Sequence, residues 1–298
     1  LPQVAPLTQT DEMGIAERYD IVIDFANFNL NDKLWLVNLA EHKDGTEPDA
    51  DLTLTQALAT PQCDPAVGKF LEFRIVRNPA TQDVSRDVSI AANQTLIPNP
   101  DLSHIPVAKT RTFRFDHNPN VDTSDPVTAF ITGAGGQGPR WGIGTDDRNT
   151  LAADFGRVSA APSFGTRETW TLINAGNNWD HPIHIHFEEG VILSRKDDRG
   201  NNVPLLTAEK GRKDVYRLRP GGSVTITMQF RDWGGMFMEH CHNTMHEDNA
   251  MLMRWEIDNG GAPFLRPLPT PIPSPRGVTF ENPDDNLCNG NEFQNQPC

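Results

Sequence analysis

The sequence predicts an all-β, sandwich-like protein, and three observations carry that expectation. Short runs of β-branched and aromatic residues recur along the 298 residues, no segment keeps a long helical period, and Gly, Pro, Asn and Asp clusters separate the runs. With 23 Gly and 24 Pro the chain favours many turns over long helices. A hydrophobic fraction of 37% is low but adequate for sandwiches, whose sheets bury one face each.

The expected strands are, in order, Tyr19–Phe25, Leu34–Leu39, Phe70–Val76, Arg111–Phe115, Glu168–Ile173, Ser223–Phe230 and Met251–Ile257. Residues 1–76 contain three of these, too few to close a sandwich, so the first unit reads as incomplete. The polar stretch Arg77–Pro100 reads as a linker. Residues 101–258 hold the remaining strands and form the main sandwich. From 259 to 298 a proline ladder (Pro263, Pro267, Pro269, Pro271, Pro273, Pro275) leads into an acidic, amide-rich end, expected to run extended over the surface.

No stretch approaches the roughly 20 apolar residues of a membrane span, and Leu1-Pro2-Gln3 does not begin a signal peptide. The expectation is a soluble chain, mature or truncated. A formal charge of −14 argues against nonspecific nucleic-acid binding. It suits cationic substrates, and equally it suits the ordinary solubility of an acidic protein. Of the four cysteines, Cys241 lies inside a histidine cluster and is not expected in a disulfide. Cys288 and Cys298 close a short tail and can pair, which leaves Cys63 free or bonded elsewhere. That pattern weakly favours an oxidising, extracytoplasmic compartment.

The chemistry is concentrated in two segments. Residues 240–246 read His-Cys-His-Asn-Thr-Met-His, with Met251 five positions on, and residues 181–186 read His-Pro-Ile-His-Ile-His. A cysteine with imidazoles and a later Met is the soft donor set of a thiolate-copper electron-transfer site. Side chains alternate along a strand. His240 and His242 therefore share one face and Cys241 points to the other. His184 and His186 form a second such pair, with His181 free to serve a different site, and 53 residues between the segments leave room for a hairpin and return.

Six of the nine histidines fall in these segments. A structural zinc site takes four ligands, commonly with cysteine pairs, and six histidines with one cysteine are too many and the wrong mix. A Cys-His nucleophile needs one imidazole and leaves five unexplained. Hydrogen-bonded core histidines account for a lone His, not for two His-x-His pairs. His42, His104 and His117 stand alone and read as surface or loop residues.

HPIHIH followed by HCHNTMHEDNAM resembles the C-terminal copper-binding motifs of the multicopper oxidases, the superfamily of laccases, bilirubin oxidases and metallo-oxidases. Ala16–Phe25 looks like the late part of that family's second domain, and the His-Glu-Asp before Met251 is most similar to the bacterial spore-coat laccase type. The resemblance implies cupredoxin-like Greek-key sandwiches, one partial (residues 1–76) and one complete (residues 101–258). It implies that His181, Cys241 and His246 bind a type 1 copper with Met251 as weak axial ligand. His184 would bind a type 2 copper, and His186, His240 and His242 the type 3 pair. Electrons from a phenolic, aromatic or metal-ion donor would pass through Cys241 to a trinuclear cluster that reduces dioxygen to water.

The span from the thiolate copper to the imidazole-bound metals is on the order of 10 Å along one strand. In the family two further His-x-His motifs complete the cluster, and this chain has none, so an N-terminal part of the same oxidase is the expected partner. A blue-copper electron carrier without oxygen chemistry is the alternative. For substrate handling, the resemblance implies that His246 is the imidazole edge nearest the surface, and Glu247 and Asp248 adjoin it, where they could hold a cation. Glu188 and Glu189 follow the first cluster. Glu188 keeps the strand parity of His184 and His186, which favours a proton relay there.

Overall fold

The computed structural model describes residues 8–42, 46–48, 50–59, 64–81, 98–117, 141–146, 150, 153, 157–176, 179–231 and 234–258. The expected tail, most of the expected linker, and Cys63, Cys288 and Cys298 lie outside the described residues.

The N-terminal stretch contributes β1 (Lys33–Asn38), β2 (Ala40–Glu41), β3 (Ala50–Asp51) and β4 (Gly68–Arg74), with a helical turn α1 (Leu54–Ala57) between the last two. Thr53 and Gln56 close a reciprocal capping box at the start of α1, which satisfies donors that so short a helix leaves bare. β1 pairs antiparallel with β4, and β2 with β3, giving two ladders of two strands each. Tyr19–Phe25 is not a strand. Its alternation suits extended backbone, but a strand also needs a partner. Here Ile21 is 51% and Val22 78% exposed, and Asp24 instead caps a 3-10 turn over Phe25–Asn27.

Past residue 100 the strands are β5 (Val107–His117), β6 (Trp141–Thr145), β7 (Val158–Ala160), β8 (Arg167–Asn174), β9 (His181–Ile185) and β10 (Gly190–Lys196). They continue as β11 (Asn202–Val203), β12 (Arg212–Lys213), β13 (Val215–Leu218), β14 (Ser223–Gln229), β15 (Gly235–Cys241) and β16 (Leu252–Ile257). One sheet runs β11-β10-β14-β8-β5-β6 with β12 paired to β10; the other runs β13-β9-β15-β16-β7. Both are mixed, because β5 lies parallel to β8 and β16 to β7.

Burial alternates residue by residue along β8 and β16, as expected where one sheet face meets a core. Trp170 of β8 and Trp255 of β16 meet edge-on at 5.6 Å, and Phe230 packs on both, joining the two sheets. Fully burying each such side chain contributes about 1.5–3 kcal/mol. A buried Arg111–Glu168 pair at 2.6 Å ties β5 to β8, and the Trp170 indole N–H donates to the same carboxylate.

The segment before β1 is fastened to β13 and its approach by ion pairs. Lys213 meets Glu17 at 2.7 Å, Arg217 meets Glu12 at 2.9 Å, and Arg18 grips Asp214 through both carboxylate oxygens. β13 is the outer neighbour of β9, and β15 the inner one. The strands that carry the histidine motifs are therefore held from both sides.

Candidate metal centre

β9 and β15 are antiparallel neighbours with His240 opposite His184, Cys241 opposite Ile183 and Glu239 opposite Ile185. This register brings the two sequence segments together and sorts their side chains by face. His181, Cys241 and His246 converge on one side; His184, His186 and His240 converge on the other.

In the first group Cys241 Sγ lies 3.7 Å from Nδ1 of both His181 and His246, and the two Nδ1 atoms are 3.0 Å apart. Ligand atoms about 2.0 Å (imidazole N) and 2.3 Å (thiolate S) from one ion stand at such separations. All three residues are 0% exposed. Burial pushes the Cys241 thiol up to about 12, partly offset by the Asn243 N–H that points at Sγ from 3.4 Å. Burial drives His181 well below the ordinary imidazole range and His246 down to about 4, so both rings stay neutral with a lone pair to give. One soft sulfur and two neutral imidazoles, closed off from water, fit copper. Met251 is fully buried, and its backbone clamps the site: its N–H donates to His246 O at 3.0 Å and its carbonyl accepts from Cys241 N at 3.2 Å.

In the second group His186 Nε2 and His240 Nε2 face each other at 3.1 Å, close enough to share one ion. His184 Nδ1 is 2.9 Å from the Asp214 carbonyl, which can only accept, so Nδ1 carries the proton and Nε2 is the atom left free to bind a metal. His242 stands outside this tight set but close to it, its ring 4.8 Å from His240 and 5.2 Å from His184. Burial and the neighbouring imidazoles hold His186 down to about 4.

Several expectations about the surroundings need correction. His246 is not a surface edge, for it is fully buried beneath Trp141, whose ring stacks on it at 3.6 Å and 24°. His117 is not an isolated loop residue: it sits on β5 and stacks on the other side of Trp141 at 4.1 Å. The strand parity argued for Glu188 ends at Ile185, since Phe187 turns the chain with φ 78°, and the Glu188 carboxylate accepts from Arg231 N. Glu247 sits on the helical turn α2 (Thr244–Glu247) with Oε1 3.1 Å from His240 Nδ1, so it faces the histidine group rather than a solvent edge. Glu189 pairs with Arg212 at 3.1 Å, and the Asp248 N–H closes α2 by donating to Thr244 O.

Sequence reading missed Trp141, Asp214 and Glu239. Trp141 lies far from both motifs and enters through the pairing of β6 with β5. Asp214 acts through its backbone carbonyl, which no side-chain pattern reveals. Glu239 had a signal, being adjacent to His240. It is completely buried, lacks a hydrogen-bond partner for either oxygen among the described residues, and is raised well above the usual carboxylate range by burial.

The profile of the family described as "Multicopper oxidase" matches residues 106–261. A bilirubin oxidase of Albifimbria verrucaria is 31% identical over 243 residues, an alignment covering 80% of this chain and 35% of that protein. A laccase of Bacillus subtilis is 26% identical over 255 residues, covering 81% and 41% respectively. Among solved structures, the 2F4 variant of the McoA multicopper oxidase from Aquifex aeolicus aligns with a TM-score of 0.49 at 16% identity, covering 79% of this chain and 43% of that one. The chain thus spans well under half the length of the relatives it matches.

Proposed function

The chain belongs to the multicopper oxidase family, and from that premise we propose that it is the C-terminal portion of such an oxidase, moving single electrons from phenolic, aromatic or metal-ion donors toward dioxygen. His181, Cys241, His246 and Met251 would hold a copper that supplies one-electron redox chemistry, and copper at His184 (type 2) and at His186, His240 and His242 (type 3) would supply four-electron reduction of dioxygen.

One observation carries the reading. Cys241 and His240 are consecutive residues of β15, yet they serve two donor sets on opposite faces of the strand. The backbone between them is a short covalent route from one set to the other. Asn243 N–H offsets negative charge on Sγ, the Asp214 carbonyl fixes the His184 tautomer, and the packed walls around Cys241 exclude water.

The partner in this proposal is the N-terminal part of the same oxidase, supplying two further His-x-His pairs. The β1–β4 ladder supports it: two strands are marginal alone, and Trp35, Phe70 and Leu71 are 38%, 64% and 45% exposed there. No helix among the described residues is long and apolar enough to cross a membrane; the oxidising compartment remains part of the proposal.

A second reading, a blue-copper electron carrier, is favoured by the fact that this chain alone completes the thiolate set. Copper stoichiometry separates the two. The oxidase reading expects one copper with intense visible thiolate absorption in the isolated chain, and four with oxygen uptake once a polypeptide bearing the missing pairs is added. One copper and no oxygen uptake in the presence of that polypeptide would leave the carrier. Uptake of copper without visible thiolate absorption would reject both.

A further inference from the structure

A donor cannot touch His246 directly in this fold, because the ring is fully buried. What stands over it is Trp141, with His117 stacked on the far side of the indole at 4.1 Å and 25°. The three rings form one column in van der Waals contact. Exposure rises along it, from 0% at His246 through 6% at Trp141 to a partly exposed His117. Trp179, also partly exposed, meets both Trp141 and His246 edge-on at 5.3 Å and braces the column from the side. The column is built into the sheet, since His117 and Trp141 are direct cross-strand partners of β5 and β6.

We propose that Trp141 is the conduit by which electrons reach His246, with His117 as the outer ring against which a planar aromatic donor stacks. The proposal rests on the oxidase reading above. In the step, the donor would give one electron, through these rings, to a cupric ion that His181, Cys241 and His246 would hold, leaving it cuprous. A phenolic donor also gives up its proton, to solvent. The indole conducts through contact and is not itself consumed. The surroundings favour an aromatic donor over a hydrated metal cation. Stacking on His117 needs a π face, and the carboxylate next to His181, Asp180, is already occupied by Arg217 Nε at 2.6 Å.

The test uses the copper-loaded protein, its W141L and H117L variants, and H104A as a control on an exposed histidine in a turn. Three quantities are read: visible thiolate–copper absorption, midpoint potential, and the rate at which a methoxyphenol or ferrocyanide bleaches that absorption without oxygen. The proposal expects W141L to keep the absorption yet bleach severalfold more slowly with both donors, beyond what any shift in potential accounts for. H117L should slow the methoxyphenol more than ferrocyanide, and H104A should match the unaltered protein.

Bleaching of W141L at the unaltered rate or faster overturns the proposal, since Trp141 would then be a cover and not a conduit. So does a slowing fully explained by potential or by lost copper. If W141L does not hold copper, W141F decides by the same two readouts. An unaltered protein that binds copper without thiolate absorption fails the oxidase reading itself, before any variant is compared.

Discussion

Cys241 Sγ stands 3.7 Å from Nδ1 of His181, a residue 60 positions earlier in the chain, because β15 and β9 pair with Cys241 opposite Ile183. The contact is buried, and burial raises the thiol to about 12 while holding His246 at about 4 and His181 well below its ordinary value. At neutral pH the imidazoles are therefore already bare and only the thiol carries a proton that a metal must displace. Copper binding at this site should release about one proton, and its apparent affinity should rise about tenfold per pH unit through the neutral and mildly alkaline range. A weakly buffered titration with a pH indicator measures the release. Binding that is indifferent to pH would show that the sulfur is not the ligand.

The sandwich was legible because its strands announce themselves. Burial alternates along Leu252–Ile257 and Arg167–Asn174, and the two histidine motifs fall on neighbouring strands, as their spacing allows. Tyr19–Phe25 has the same look and is no strand, since alternation encodes an extended backbone and says nothing of a partner for it. The cover on the thiolate site was illegible for a related reason. His117 and Trp141 meet through strand register across 23 intervening residues, and that meeting is what lays Trp141 over His246.

Glu247 Oε1 lies 3.1 Å from His240 Nδ1, on a ring whose Nε2 faces His186. Carboxylates in that position steady a ligand imidazole, and their loss typically costs about 10–100-fold in metal affinity. E247A should weaken copper uptake by the histidine group within that range and leave the visible thiolate absorption in place. Competition against a chelator, followed by electron paramagnetic resonance, resolves the two sites. Equal weakening at both would place Glu247 in the general stability of α2 instead.

Arg217 and Arg18 both bind acidic partners, but their surroundings differ. Arg217 has only 6% of its side chain exposed between Glu12 and Asp180, whereas Arg18 is 64% exposed beside Asp214. R217A leaves Asp180 without its guanidinium, while Glu12 keeps Arg219, and should destabilise the copper-free protein by about 3–5 kcal/mol. R18A removes a solvent-screened pair and should cost less than about 1 kcal/mol. Urea unfolding of the two variants compares them directly. Similar small losses would mean that the N-terminal segment is not clamped to β13 through Arg217.

Glu239 faces the side of β15 that carries Cys241, fully buried opposite Ile185 and Met253. Neither oxygen has a hydrogen-bond partner among the described residues, and burial holds the carboxyl neutral well above its usual range. In the unfolded chain the same group ionises near 4.5, the ordinary value for a glutamate. Below that pH both states are protonated and Glu239 adds no pH dependence. Above it the unfolded state sheds the proton while the folded state keeps it, so stability is lost as pH rises toward the folded value, by up to about 1.4 kcal/mol per unit. E239M should therefore stabilise the copper-free protein, by about 1–3 kcal/mol near pH 4.5 for the buried polar group removed, with a gain that grows as pH rises above it. Unfolding series of both proteins across that range give the difference directly. A gain that stays flat with pH, or a loss, would mean that the Glu239 carboxylate is ionised and paired in the folded protein.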